Sequence, residues 1–213
     1  MHVLIIGMTA SGKTTLAKAL AHEYRQRKIA TAVLDPLGDP EWQASFQTTD
    51  RHEFLERVKR SRGCALFIDE SGEMVGRYDD EMFWLATRSR HYGHRAHFIS
   101  QRAAQLSPTV RHQCTRLFLF RVGVKDAKTL AEEFSDDTIL RAGTLPQYQF
   151  ISVNRFGKAE TLRLEILDQK VNNGTDHSPA PDSSGNSAAK GRGKETAADG
   201  GNSADQAPSK SNP

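Results

Sequence analysis

The chain is poor in cysteine, has no long apolar run and carries no strong excess of either charge. Cys64 and Cys114 are the only cysteines in 213 residues, which excludes a disulfide framework and makes a reducing, cytoplasmic compartment the expectation. Both sit inside apolar runs, where small buried side chains belong. No apolar stretch approaches the ~20 residues that span a bilayer, and the N-terminus lacks a charged n-region followed by an h-region. Membrane insertion and secretion are therefore not expected. Lys and Arg number 29 against 26 Asp and Glu, a formal net charge of +3, so the chain is mildly basic and no polycation.

Large hydrophobes are missing from one whole region. The 42 residues from Asn172 to Pro213 contain no Val, Ile, Leu, Met, Phe, Trp or Tyr. Such a segment has nothing to bury against its ordering entropy, and a disordered low-complexity tail is expected over 172–213. Residues 1–171 then form one domain, of a size that buries roughly 70% of its unfolded surface and needs no staple.

Within that domain strands and helices alternate. The apolar run His2–Ile6 leads into a glycine-rich turn and then a segment in which Leu16, Leu20 and Tyr24 share one helical face, giving strand, loop and a helix from Lys13 to about Lys28. A strand is predicted over Thr31–Leu34, closed by Asp35-Pro36. Asp50 and Glu53 have capping-box spacing for a helix reaching about Ser61. Cys64–Ile68 reads as a strand buried on both faces and ends in Asp69-Glu70. Met82, Leu85, Ala86 and Ser89 follow helical spacing up to Gly93. Further strands are predicted over Ala96–Ser100 and Arg116–Val122, and helices over Leu106–Gln113 and Lys125–Phe134. Two alternating runs, Gln149–Val153 and Thr161–Leu167, flank a turn at Asn154–Gly157 and predict a hairpin. The implied fold is α/β: a mostly parallel sheet flanked by helices, with the hairpin as an antiparallel edge.

Gly7-Met8-Thr9-Ala10-Ser11-Gly12-Lys13-Thr14 fits G-x-x-x-x-G-K-[ST], with a strand before it and a helix after it. Backbone N–H groups of such a loop, extended by Thr15 at the helix start, cradle the phosphates of ATP. Lys13 is expected to reach the β- and γ-phosphates and the Thr14 hydroxyl to ligate Mg²⁺. Asp69, at a strand's C-terminal end, is the expected second holder of Mg²⁺, and Glu70 the group that positions or deprotonates the attacking water. Gln101 closes the Ala96–Ser100 strand and is placed to sense or orient that water. His91, His94 and His97 share a regular spacing, but Gly93 breaks the helix and His97 falls in a strand, so a zinc site is not expected. With Arg88, Arg90, Arg95 and Arg102 the same segment reads as a positive surface facing a subunit or a phosphate backbone.

These motifs, taken in order, make the sequence resemble the FtsK/HerA superfamily of P-loop ATPases, especially its small viral genome-packaging members. The resemblance rests on Gly7 to Thr14, on Ile68-Asp69-Glu70, on Arg88-Ser-Arg90-His-Tyr-Gly93 followed by Phe98-Ile-Ser-Gln101-Arg102, and on Ser107-Pro-Thr-Val-Arg111 before an apolar strand. It covers about residues 1–167. It implies a RecA-like core, a homo-oligomeric ring that is usually a hexamer, and ATP hydrolysis coupled to movement of double-stranded DNA. A viral packaging member would work in the host cytoplasm or on the virion, beside a capsid or portal protein. The resemblance also suggests Arg90, with Arg88 and Arg95 as alternatives, as the arginine offered to a neighbouring subunit's nucleotide.

Two other readings remain open from the residues. A small-molecule or nucleotide kinase would use the same loop, with Asp35 as the base that accepts a substrate hydroxyl proton. Glu70 beside Asp69 and the absence of an arginine-rich lid late in the chain argue against it. A nucleotide-switched binding module is the other alternative.

Overall fold

All five residues of β1 (His2–Ile6) are buried, and alternate side chains leave a strand on opposite sides, so the strand has to be covered on both faces. The computed structural model, which describes residues 1–70 and 80–165, has this arrangement. After β1 come α1 (Lys13–Gln26), β2 (Thr31–Leu34), β3 (Phe46–Thr48), α2 (Arg51–Lys59), β4 (Ala65–Ile68), α3 (Asp80–Thr87) and β5 (Arg95–Ser100). The chain continues through α4 (Pro108–Gln113), β6 (Cys114–Leu119), α5 (Val124–Phe134), β7 (Gln149–Asn154) and β8 (Glu160–Arg163). The expected tail over 172–213, the domain boundary at 171 and the last residues of the expected hairpin lie outside the described residues.

The sheet runs in the order β3-β2-β4-β5-β1-β6-β7-β8. Strands β1 to β6 pair in parallel, and β7 and β8 close the edge antiparallel, as the hairpin signal requires. Val3, Ile5, Val33, Phe67, Ile99 and Phe118 face Leu16, Ala17 and Ala21 of α1. Leu4, Ile6, Leu34, Leu66, Ile68 and Phe98 face the other way, onto α2 through Phe54 and Val58, α3 through Leu85, α4 through Val110 and α5 through Leu130. Among the described helices none is long and apolar enough to cross a membrane. Cys64 and Cys114 are buried free thiols.

Capping follows the sequence closely. Asp50 accepts from Glu53 N ahead of α2, Ser107 accepts from Val110 N ahead of α4, and Gly93 ends the 3₁₀ turn Ser89–Tyr92 at φ 77°, a conformation that favours glycine. Differences arise where tertiary pairing decides. The short β3 was not expected, because Phe-Gln-Thr has no apolar run; it exists by pairing with Ala32–Leu34 of β2. Strand β6 begins two residues earlier than expected, since Cys114 both caps α4 and pairs with His2. It stops at Leu119 because the chain turns there to serve the loop after β1, with Met8 N donating to Arg121 O at 2.8 Å.

Two buried histidines tie stability to pH. The His97 ring stacks on Phe67 with centroids 4.3 Å apart, and its Nδ1 lies 3.0 Å from Leu66 O. Nδ1 therefore carries the proton, leaving Nε2 to accept from the Tyr24 hydroxyl at 3.4 Å. Burial lowers the His97 pKa to about 3, and burial together with the nearby N-terminal amine lowers that of His2 to about 4. Both folded values lie below the ordinary ~6.5, so the stability these rings contribute is complete above that pH and is lost as pH falls toward 4. Each is expected to remove about 1.4 kcal/mol per pH unit in that window. Urea unfolding at pH 7, 6 and 5 checks this: His97→Phe should flatten the slope by one proton, and an unchanged slope would show that His97 is not the titrating group.

Candidate functional site

The phosphate loop, Asp69, Glu70 and Gln101 lie at the C-terminal ends of the parallel strands, where β1 separates β5 on one side from β6 on the other. This is the topological switch point at which open α/β sheets bind ligands. Gly7 follows β1 directly, and a Cβ there would sit 2.5 Å from Phe120 Cβ and 2.8 Å from Ser11 Oγ, so only glycine fits. Ala10 at φ 60° and Gly12 at φ 110° curl the main chain, and α1 starts at Lys13 with no side chain capping its N-terminus. A concavity of backbone N–H groups ahead of an uncapped helix suits an anion. Lys13 is buried and its Nζ donates to Met8 O at 3.0 Å, spanning the loop.

The strand order brings the remaining residues to this loop. Thr14 Oγ1 donates to Asp69 Oδ2 at 3.4 Å, which joins the head of α1 to the end of β4. Asp69 Oδ1 accepts from Glu70 N at 2.9 Å, and Glu70 itself is held at φ 47°. Because β5 lies between β1 and β4, Gln101 sits between the loop and the acid pair. Its Nε2 donates to both Glu70 carboxylate oxygens, at 3.1 and 3.3 Å, while its Oε1 accepts from Thr9 Oγ1 at 3.2 Å. A side-chain chain Thr9–Gln101–Glu70 thus runs from the phosphate loop to the acid beside Asp69. The turn after β5 is fixed from below: Arg111 Nη1 donates to Ala103 O at 2.9 Å, and Arg102 Nε donates to Asp126 Oδ2 at 3.3 Å.

Burial raises the Asp69 carboxyl above its ordinary value; the hydrogen bond from Glu70 N opposes this, the Glu70 and Asp35 charges add to it, and the Lys13 charge opposes it. Burial likewise lowers Lys13, against the pull of Glu70 and Asp69. Two carboxylates, Asp69 and Glu70, beside the one Lys13 ammonium leave a demand for further positive charge. Thr14 and Asp69 offer hard oxygen donors within hydrogen-bond reach of each other, the donor type Mg²⁺ takes. The residues fit a Mg²⁺–nucleotide.

Other candidates fall elsewhere. Asp35 is buried and spends both oxygens on its own loop, accepting from Leu37 N at 3.0 Å and Asp39 N at 2.8 Å, which leaves it poorly placed as a kinase base. His94 accepts from Cys64 N and its Nε2 lies 3.2 Å from Val58 O, while His97 serves Leu66 and Tyr24; among the described residues no three His, Cys, Asp or Glu gather as a metal site. The expected basic surface is divided. Arg95 opens β5 and Arg102 follows its end, so the two lie at opposite ends of the strand, about 20 Å apart along it. Arg88, Arg90 and Arg95 are exposed, Arg90 and Arg95 both act electrostatically on the Met1 amine, and Arg90 acts on His2 as well.

Gln147 and Tyr148, which no sequence motif marked, touch the loop directly. Gln147 Nε2 donates to Ala10 O at 2.8 Å and Tyr148 N to Ser11 O at 3.1 Å. A Gln-Tyr pair after Leu145-Pro146 carries no signature of its own; only the fold places it there.

A family model described as the ATPase family associated with various cellular activities matches residues 3–90, from β1 to the turn after α3. No curated protein matches the chain in sequence. Among solved structures, the DNA-packaging ATPase B204 of Sulfolobus turreted icosahedral virus superposes with a TM-score of 0.65 at 20% identity, over 78% of this chain and 97% of that one. The genome-packaging NTPase B204 of Sulfolobus turreted icosahedral virus 2, in complex with AMPPCP, gives 0.65 at 19% identity over 78% and 97%. The pCW3 conjugation coupling protein TcpA, a monomer form with ATPγS, gives 0.60 at 16% identity over 76% of this chain and 59% of that one. Sheet order, phosphate loop and family match together define a P-loop ATPase. Its fold is the one shared by these packaging and conjugation proteins, as the resemblance in sequence implied.

Proposed function

We propose that this chain is the subunit of an ATP-driven motor that moves double-stranded DNA, assembled as a homo-oligomeric ring, a hexamer, and that it packages a viral genome into a capsid through a capsid or portal protein. The observation that carries the hydrolytic part is the Thr9–Gln101–Glu70 chain. It holds a carboxylate next to Asp69 and the phosphate loop, where an attacking water would need a base. A kinase has no use for such a group, since activating water wastes ATP. The named solved structures that share the fold, packaging and conjugation proteins, support the coupling to DNA. The exposed Arg88, Arg90 and Arg95 offer charge for a phosphate backbone or a neighbouring subunit.

In this reading the loop from Gly7 to Thr15 holds the phosphates, and Thr14 and Asp69 hold Mg²⁺. Bound Mg²⁺ supplies charge neutralisation at the β- and γ-phosphate oxygens. Lys13 contributes a buried cation that need not be reorganised, because it already lies across the loop. Glu70 takes the proton from water, and Gln101 fixes where its carboxylate points. Since Gln101 also touches Thr9, a change at the γ-phosphate end of the loop is passed to Glu70 through one side chain.

Phosphate release measured with ATP alone and with added duplex DNA tests the proposal. DNA is expected to stimulate release, with a steep fall as salt rises. Turnover only in the presence of a small hydroxyl acceptor would make the chain a kinase, and tight binding with no turnover under either condition would make it a switch.

A further inference from the structure

We propose that Gln147 and Tyr148 form the nucleoside end of the ATP site, with the Tyr148 ring as the surface on which the base stacks. The proposal rests on the reading of Gly7 to Thr15 as an ATP phosphate loop and adds the part of the ligand that loop does not hold.

The first support is polarity. Thr9, Gln101, Glu70 and Asp69 occupy the side of the loop toward β5 and β4, and they define where the terminal phosphate and its water must be. A nucleotide lying along the loop then leaves toward the other side, over β6 and β7. The segment just before β7 is Gln147-Tyr148. Here the structure has a cavity of about 170 Å³ lined by Gln147, Tyr148 and, from the phosphate loop, Ala10, Gly12, Lys13, Thr14 and Thr15. It is continuous with the phosphate loop because five of those residues belong to it.

The second support is how this short segment is held. Gln147 bonds to Ala10 O and Tyr148 N to Ser11 O, successive carbonyls of the loop, while Leu164 N donates to Tyr148 O at 2.9 Å from the far side of the hairpin. Between these anchors Tyr148 is fixed at φ 62°, a conformation that bulky side chains rarely adopt. Strain of this kind persists where surrounding structure enforces it, and it gathers at ligand clamps. The half-buried ring lies against Gly12: a Cβ on that glycine would come within 2.8 Å of Tyr148 Cδ1. Gly12 therefore does two jobs, letting the main chain approach phosphate and letting an aromatic ring pack onto the loop at the start of α1. An aromatic ring offers a π-face to any base, and stacking of this type does not depend on base-edge hydrogen bonds.

The test compares two ligands on the full chain with Mg²⁺: ATP, and inorganic tripolyphosphate, which has the phosphates and no nucleoside. Tyr148→Gly removes the ring, and glycine takes the positive φ without strain, so the segment keeps its path. ATP affinity is expected to fall about tenfold or more while tripolyphosphate affinity is unchanged. Tyr148→Phe, which keeps the ring, should bind ATP like the parent. Unchanged ATP affinity in Tyr148→Gly, or an equal loss of both ligands in Tyr148→Gly and Tyr148→Asn, overturns the proposal. A parent chain that binds neither ligand overturns the phosphate-loop reading beneath it, which separates the two failures.

Discussion

Glutamine in place of Glu70 is expected to leave ATP bound and to slow its hydrolysis by about 10²-fold or more. The substitution keeps the volume and hydrogen bonding of the side chain, so the contact with Gln101 survives, through Gln101 Nε2 onto the new amide oxygen. What disappears is the group that accepts a proton from water. Lys13→Ala should behave differently, because Lys13 is a buried ammonium whose Nζ already crosses the loop and whose charge is set against the phosphates. There the loss falls on binding itself. Fluorescent-nucleotide titration beside a phosphate-release assay distinguishes the two, and equal loss of binding in both variants would falsify the separate roles assigned to these residues.

The contrast between Glu70 and Gln101 also marks how far the sequence could be read. The loop was legible because its fixed positions stand at set spacings within eight residues and each has its own steric or electrostatic requirement, so Gly7, Gly12, Lys13 and Thr14 identify one another. Asp69-Glu70 was legible as the end of a fully apolar run, which a parallel strand buried on both faces requires. Gln101 could be placed at a strand end, but its bond to Glu70 depends on β5 lying between β1 and β4, and strand order is a tertiary fact with no local signal. Gln147 and Tyr148 stand 137 residues along the chain from Ala10 and its neighbours. Their approach follows from the hairpin folding back over the loop, and nothing in Leu145-Pro-Gln-Tyr148 announces it. The divided basic surface has the same cause: Arg95 and Arg102 are close in sequence, yet strand β5 between them carries them to its opposite ends.

That division bears on the largest effect expected of any single residue remote from the phosphates. Arg90 lies in the 3₁₀ turn Ser89–Tyr92 and acts on the Met1 amine and on His2, at the beginning of β1. The phosphate loop begins at the other end of that strand, about 16 Å away at the rise of a five-residue strand. An arginine there is out of reach of its own nucleotide, and it is exposed. If it serves catalysis it must do so in a neighbouring subunit, where a planar guanidinium suits charge spread over phosphoryl oxygens. Arginines acting in this way contribute about 10³ to 10⁵ in rate. Arg90→Ala is therefore expected to bind ATP like the parent and to lose at least about 10³-fold in turnover. Mixing it with Glu70→Gln subunits should restore part of the activity, because some interfaces then pair an intact Glu70 with an intact Arg90. Full turnover in Arg90→Ala, or no recovery in mixtures whose subunits demonstrably exchange, would remove Arg90 from catalysis and leave Arg88, Arg90 and Arg95 to the DNA backbone.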